Sequence, residues 1–469
     1  MRPRLWKSAA LVAVVLGAAV ACAPAPKPNP PLVVTTTADT FDGVCDEADC
    51  SLRDAIAESN VTPLISGQPN RVTLPEGTFQ IAASEPINIA RAINISGPNG
   101  VAQATFDITG STIAAPSGLF DVNASFTLTS VEVLSTDSPA ADVLTSCVGH
   151  AARTANLIDV QATGLAATSA ACDTNLVGST VDGPTTVIDP NRFSAASSTL
   201  AWGPAPVSTR SFALIGSTIT GPTVGGVLQE STLEIQSPEG LPNIAASITG
   251  SKVVGMNVQI GGNAPGWINA SVLSSSFDLN GPAGPVTIDV GALSKAKLVN
   301  STVFGGGPDG ALRVDGTLST EWATITPDGP AIVSGVGGVV NLRRSVVGST
   351  TGAAACSAPA TSQGYNVVVG STCGTPAATD VSVATEADLQ LGAPTTFGVI
   401  ISQHREPAET SPVVDIIPPG SPSNLDCPTE NGQARSIDAR GQWRPSGAGC
   451  DAGAMEYKFP LPPVEEPAT

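Results

Sequence analysis

Histidine is scarce in this 469-residue chain, with only His150 and His404 present. His150 lies in Gly149-His150-Ala151-Ala152-Arg153 beside Cys147, and His404 opens the loop-like stretch His404-Arg405-Glu406. Each reads as an exposed loop histidine rather than a general base. Chain order is compatible with a Ser-His-Asp site, yet no Gly-x-Ser-x-Gly elbow presents a serine. Glycoside hydrolysis requires two carboxylates at a fixed separation on neighbouring elements. A lyase needs calcium-holding carboxylates with an Arg or Lys base. The later repeats offer Lys252, Lys295, Lys297, Arg313, Arg343 and Arg344. Arg343-Arg344 is the most enzyme-like feature, and no recurring carboxylates align with it. The reading assigns no catalytic residue; the alternative is a polysaccharide lyase or glycoside hydrolase.

Metal and redox chemistry are equally sparse. Asp39, Asp42, Asp46 and Asp49, with Glu47 among them, are weak calcium candidates, because calcium takes six to eight oxygens. Their spacing is not that of an EF-hand, and such a loop more often complements a helix start. No other cofactor is expected. Trp202, Trp267, Trp322 and Trp443 are scattered and read as packing residues rather than sugar platforms. Of nine cysteines, eight form neighbouring couples: Cys45 with Cys50, Cys147 with Cys172, Cys356 with Cys373, and Cys427 with Cys450. An even set without Cys-x-x-Cys suits disulfides in an oxidising compartment, with local pairing the simplest connectivity. Cys22 is left over.

The elements that must position these residues are short. Hydrophobics make up 42% of the chain, so a core can form, while 48 Gly and 40 Pro interrupt every apolar run. That is an all-β composition with many turns. The one helix signal is Ser51, followed three residues later by Asp54, with Leu52, Ala55 and Ile56 on one face. An apolar stripe on a lone short helix needs another surface, and a lid over the open end of a β-stack supplies one. Further along, Leu176-Val-Gly-Ser-Thr-Val-Asp-Gly183 and Leu214-Ile-Gly-Ser-Thr-Ile-Thr-Gly221 repeat one phrase, with looser copies to Gly348. Taking Ser251, Ser276, Ser301, Ala323 and Ser345 as markers, the spacings are 25, 25, 22 and 22. A period of that size without helical periodicity points to a parallel β-helix. About 14 coils would stack into a rod near 65 Å long, at roughly 4.8 Å per coil.

The organisation that follows is a signal peptide over 1–21, a Pro-rich spacer over 22–31, an N-terminal cap over 32–70, a β-helix over 71–400, a C-terminal cap over 401–458 and a tail over 459–469. The leader has a basic start and an apolar stretch from Ala9 to Val20. Ala19-Val20-Ala21-Cys22 is similar to a bacterial lipobox lacking the usual Leu, which makes Cys22 a lipidation candidate. No other stretch has the ~20 consecutive apolar residues of a membrane span.

Cys50-Ser-Leu-Arg-Asp-Ala-Ile56 resembles the signature of the CSLREA-domain proteins, with Asp54 where that signature has Glu. Asp39-Thr-Phe-Asp-Gly43 and Gly364-Tyr-Asn-Val-Val-Val-Gly370 are similar to other phrases of the same proteins. Ile437-Asp-Ala-Arg-Gly-Gln-Trp-Arg-Pro445 with Cys450-Asp-Ala-Gly-Ala-Met-Glu456 resembles their C-terminal module of the choice-of-anchor Q type. The resemblance implies an exported bacterial right-handed parallel β-helix of pectin-lyase-like architecture, and no common activity. The expected fold is therefore an all-β, right-handed parallel β-helix solenoid. A short capping helix closes its start, and an irregular disulfide-bonded cap near Ser421 to Tyr457 is expected to cover the other end.

Net charge is −19, and about −22 without the leader's Arg2, Arg4 and Lys7. Such acidity repels nucleic acid and anionic membranes. The partners that fit are glycans or cell-envelope components, with the chain itself a monomer. The expected function is non-catalytic: an exported, cell-surface or secreted β-helix that is structural, adhesive or glycan-contacting.

Overall fold

Leucine, isoleucine, valine and phenylalanine at alternate positions of short runs set the architecture, because every second side chain of a strand points the same way. In the computed structural model the described residues are 27–81, 87–98, 104–107, 119–134, 144–145, 154–163, 168–170, 173–188, 192–202, 207–208, 211–220, 223–224, 227–228, 232–236, 243–261, 267–281, 285–370, 373–397, 400–420, 427 and 437–458. Two long parallel sheets run the length of the molecule, one of 14 strands and one of 15. A third face carries a three-stranded sheet in the first coils and a six-stranded sheet in the later ones. The fold is a right-handed parallel β-helix, the hand that crossovers between parallel strands take. Fourteen strands give thirteen steps of about 4.8 Å, so the first sheet extends about 62 Å.

Register keeps like side chains stacked. Val72, Ile95, Leu128, Leu157, Leu176, Ala195, Leu214, Ile248, Val272 and Leu298 form one inward column of the first sheet. All are buried and belong to a single core. Aromatics fill the wider parts of the lumen: Phe79, Phe106, Phe120 and Phe126 follow one another at 4.9 to 6.3 Å between ring centroids. Phe193 stacks on Phe212 at 5.6 Å.

The repeated Gly-Ser phrase forms a corner between the two long sheets. Its residue before the serine is left-handed (Gly178, Gly216 and Gly250 have φ of 61°, 54° and 57°), which glycine adopts without steric penalty. The serine that follows is buried, and its hydroxyl accepts from the serine N–H one coil earlier. Ser179, Ser198, Ser217, Ser251 and Ser275 each donate to the Oγ of the next corner serine, the last of them Ser301, at 3.2 to 3.3 Å. Each of these hydroxyls also bonds the carbonyl two residues before it. This ladder corrects the marker at Ser276: the equivalent corner residue is Ser275, and the spacings along it are 24, 26 and then 22. In Ser274-Ser275-Ser276 only the middle residue occupies the buried corner that pairs with Ser251 and Ser301.

The first coil is closed by α1 (Leu52–Val61). Ser51 and Asp54 form the expected capping box, and Leu52, Ala55 and Ile56 enter the main core beside Val34 and Val72. At the other end Ala355, Cys356, Ala360 and Cys373 join that core, with Cys356 and Cys373 disulfide-bonded. The irregular C-terminal cap, tied by Cys427–Cys450, is seated along the flank of the later coils rather than over the end, because its partners are the outward side chains of Asn300, Thr324 and Ser276. Its hairpin, Thr395–Phe397 with Ile400–His404, lies on the outer face of the second sheet. Among the described residues no helix is long and apolar enough to cross a membrane.

Candidate functional site

Asp54 positions more than its own helix. Its Oδ1 accepts from the N–H groups of Asp42 (3.1 Å) and Gly43 (2.8 Å), holding the 39–49 loop against α1. Ser51 Oγ lies 2.6 Å from the Thr40 carbonyl. This places Phe41, 66% exposed, at the lip of a groove of about 290 Å³ between α1 and the strand Ile87–Ile89. Asn60 fixes the far side, accepting from Ala90 N at 2.9 Å and donating to the Asn88 carbonyl at 2.8 Å. Arg53 stands in the wall. Its Nε donates to Asp39 Oδ1 at 2.7 Å, while Nη2 is shut from water and has no partner among the described residues.

Three of the four calcium candidates bond within the cap through their carboxylates. Asp39 pairs with Arg53, Asp42 Oδ1 accepts from Val44 N, and Asp46 Oδ1 accepts from Ala48 N and Asp49 N, all at 2.7 to 2.9 Å. Those backbone donors lower the Asp46 carboxyl below its usual range. Among the described residues no three or more His, Cys, Asp or Glu side chains are arranged to hold a metal ion.

The second concentration of polar side chains is the seat of the C-terminal cap. Here the left-handed corner residues are Asn300, Trp322 and Arg344, with φ of 48°, 57° and 51°, where earlier corners have glycine or the smaller Ser130, Asp159, Ser197 and Ser274; the conformation costs about 1 kcal/mol each without glycine. Their side chains meet the cap. Asn300 Nδ2 donates to the Ile437 carbonyl at 2.8 Å. The Arg444 guanidinium lies over the Trp322 ring at 4.3 Å and that of Arg344 at 5.1 Å. Thr324 Oγ1 accepts from Ala454 N, and Thr326 Oγ1 from Arg405 Nη1, both at 2.9 Å. Trp322 is thus the packing residue expected, whereas Trp443 is 56% exposed.

His404 departs from the loop reading. It ends a strand, is fully buried, and its ring joins Thr302 Oγ1 (2.8 Å from Nδ1) to Ser402 Oγ (2.9 Å from Nε2). Ser402 gives its proton to the Ser274 carbonyl, so Nε2 donates and Nδ1 accepts from Thr302. The sequence pattern around His404 is short and polar, and only the packed face of the second sheet buries it. Burial, aided by the charge of Arg440, lowers its pKa to about 4. In the same cap Asp451 is raised to about 7 by burial and by Glu456, against the N–H donors of Tyr457 and Asp415 and the charge of Arg444.

These two groups tilt stability in opposite directions. Between about pH 4 and 6.5 the unfolded chain protonates His404 and the native chain does not, so His404 withdraws stability as pH falls. Between about pH 4 and 7 native Asp451 keeps a proton that the unfolded chain has released, so it withdraws stability as pH rises. His404→Gln therefore makes the slope of unfolding free energy against pH more negative, and Asp451→Asn more positive, each by up to about 1.4 kcal/mol per pH unit. Urea midpoints across that range check this; parallel profiles for both variants and the parent would refute it.

The outer face of the first sheet carries a polar ladder. Thr127, Asn156, Asn175 and Ser194 are in register, joined by side-chain bonds of 3.1, 2.9 and 2.6 Å. The next outward column is apolar, with Val177, Ile215 and Leu273 all exposed. Toward the cap, Glu321 gathers Lys297 (2.9 Å), Arg343 and Arg344 (both 3.4 Å), which absorbs the arginine pair into an ion-pair cluster. Lys295 and Lys252 lie on outward positions of the first and second sheets. On the third face Arg313 Nε is 3.8 Å from Asp289 Oδ1, and burial raises the Asp289 carboxyl.

Cys45–Cys50, Cys356–Cys373 and Cys427–Cys450 are disulfide-bonded. Cys22, Cys147, Cys172 and His150 lie outside the described residues, as do the leader and the tail, and of Trp202 and Trp267 only the backbone is described. The groove was not foreseen. Phe41, Arg53 and Ile87 are brought together only by the fold; the one signal was an aromatic residue in an otherwise acidic loop.

No family model matches the chain, and no curated protein matches it. Among solved structures it is similar to the catalytic unit of a thermostable GH87 α-1,3-glucanase from Streptomyces thermodiastaticus strain HF3-3, at 13% identity and a TM-score of 0.38. That match covers 71% of this chain, which spans 65% of the glucanase unit's length. Pectate lyase Pel9A is similar at 12% identity and a TM-score of 0.34, over 92% of this chain and 97% of that one. Tailspike protein 3 of bacteriophage CBA120 is similar at 13% identity and a TM-score of 0.35, over 88% of this chain and 68% of its own.

Proposed function

We propose that the chain is a non-catalytic, exported rod of the cell surface or extracellular space, with a structural, adhesive or glycan-contacting role. The observation that carries this reading is the interlocked ladder Thr127–Asn156–Asn175–Ser194 beside the exposed column of Val177 and Ile215. Amide and hydroxyl groups held at the coil repeat, next to an apolar strip, are suited to a hydroxyl-rich polymer lying along the rod. Bonding between neighbours fixes the side chains beforehand, which reduces the ordering cost of binding. Three disulfides support an oxidising compartment, and Cys22 would carry a lipid there if the leader is processed before it. The capping box of Ser51 and Asp54 and the buried Arg444 give structural roles to the residues through which the chain resembles CSLREA-domain and choice-of-anchor Q proteins, and support placing it with them.

One observation favours the second reading, a carbohydrate-active enzyme: Asp289, with its raised carboxyl, beside Arg313 and Asp315 on the third face. Both readings are tested together by exposing the full chain to a panel of immobilised polysaccharides and assaying the same polymers for released ends. The proposal expects retention without product. Product that disappears in Asp289→Asn would replace it with the enzyme.

A further inference from the structure

We propose that the groove under Phe41 is a binding site for an N-acetylated amino sugar of a neutral glycan. The proposal rests on the glycan-contacting reading above and gives that reading a place and a sugar class.

The groove's volume of about 290 Å³ is near the lower bound for small-ligand sites, about 300 Å³, and suits one or two sugar rings. Its lining divides by chemistry. Half-buried Ala57 gives apolar surface over the core residues Ile56 and Ile87, Phe41 an exposed aromatic face, and Arg53 and Asn88 polar groups. The polar groups are donors in surplus. Among the described residues Arg53 makes one hydrogen bond, through Nε, of the five its guanidinium can make. Asn88 uses its Oδ1 to accept from Asn123, which leaves its amide N–H groups to the groove.

A ligand that fits must bring an acceptor, a small apolar group and a ring face. An acetamido sugar brings all three: a carbonyl for Arg53, a methyl for the floor at Ala57, and ring C–H groups for Phe41. A plain hexose lacks the methyl. A uronate brings a full negative charge to a chain of net charge −19, beside an arginine already paired with Asp39. The acceptor meets Arg53 through Nη1, which has no acceptor among the described residues, whereas Nη2 is shut from water and so from the ligand.

The test titrates the full chain with the N-acetylated chitin trisaccharide and, separately, with cellotriose. The acetylated sugar is expected to bind at least about ten-fold more tightly. Phe41→Ala, at an exposed position that leaves the unfolding midpoint unchanged, is expected to weaken it at least about ten-fold, roughly 1.4 kcal/mol. Arg53→Gln weakens it too, with the midpoint reporting any loosening of the Asp39 loop. Equal affinity for the two trisaccharides, or an unchanged affinity in Phe41→Ala, overturns the groove assignment. Polysaccharide retention that persists in Phe41→Ala removes the groove and leaves the rod's glycan contact standing. A parent chain that retains no glycan removes both.

Discussion

Arg444→Met will destabilise the C-terminal cap by about 3 to 5 kcal/mol, the range for removing one partner of a buried ion pair. The guanidinium is fully buried. It donates from Nη1 to Glu456 Oε2 at 2.8 Å and to the Asp451 carbonyl at 3.1 Å, and from Nη2 to the Gly453 carbonyl at 2.8 Å. It also lies on Trp322, the residue through which the cap meets the coils. Methionine keeps much of the volume but leaves buried Glu456 without its counter-charge, with Asp438 and Asp451 close by. The loss is local, because the main coil core does not pass through this cluster. Hydrogen exchange should therefore show residues 400–404 and 450–456 opening while the strands around Leu214 and Leu298 stay protected. A second change, Glu456→Gln, should return part of the loss. Protection of the cap equal to the parent's would show that Arg444 does not hold it.

Ile56→Asp will have a comparable effect at the other end, about 3 to 5 kcal/mol, from lost apolar burial and a carboxylate placed among apolar neighbours. Ile56 is 1% exposed and packs in the same core as Val34, Val72 and Ile89. The consequence goes beyond stability. With α1 displaced, the first coil presents unpaired edges, which pair readily with other chains. Light scattering should show oligomers forming in the variant while the parent stays monomeric. An equally stable and monomeric variant would mean that α1 does not act as a lid.

Local chemistry made much of this legible in advance. Ser51 and Asp54 announce a capping box because the motif is completed within four residues, and the structure has both of its bonds. The Gly-Ser phrase reveals the coil because a left-handed corner favours glycine and a buried hydroxyl can serve two coils at once. At Ser274–Ser276 three serines in a row hid which one turned inward, and the marker slipped by one. What stayed hidden depends on where distant surfaces meet. His404 lies in a polar stretch, yet the second sheet's Thr302 buries it, 102 residues away. The groove joins Phe41 to Ile87 across two elements with no shared pattern. The cap's seat had a fainter signal that went unread: the left-handed corners there carry the larger Asn300, Trp322 and Arg344 where earlier ones carry Gly, Ser or Asp, and each contacts the cap.

The central claim is that the rod binds glycan without transforming it, and titration calorimetry of the full chain separates the two in one experiment. Using the polysaccharide that the immobilised panel retains, the account predicts discrete heats that diminish to saturation and a polymer of unchanged length. A heat flow that persists after each injection, as turnover produces, would contradict it and make the face around Asp289 an active site.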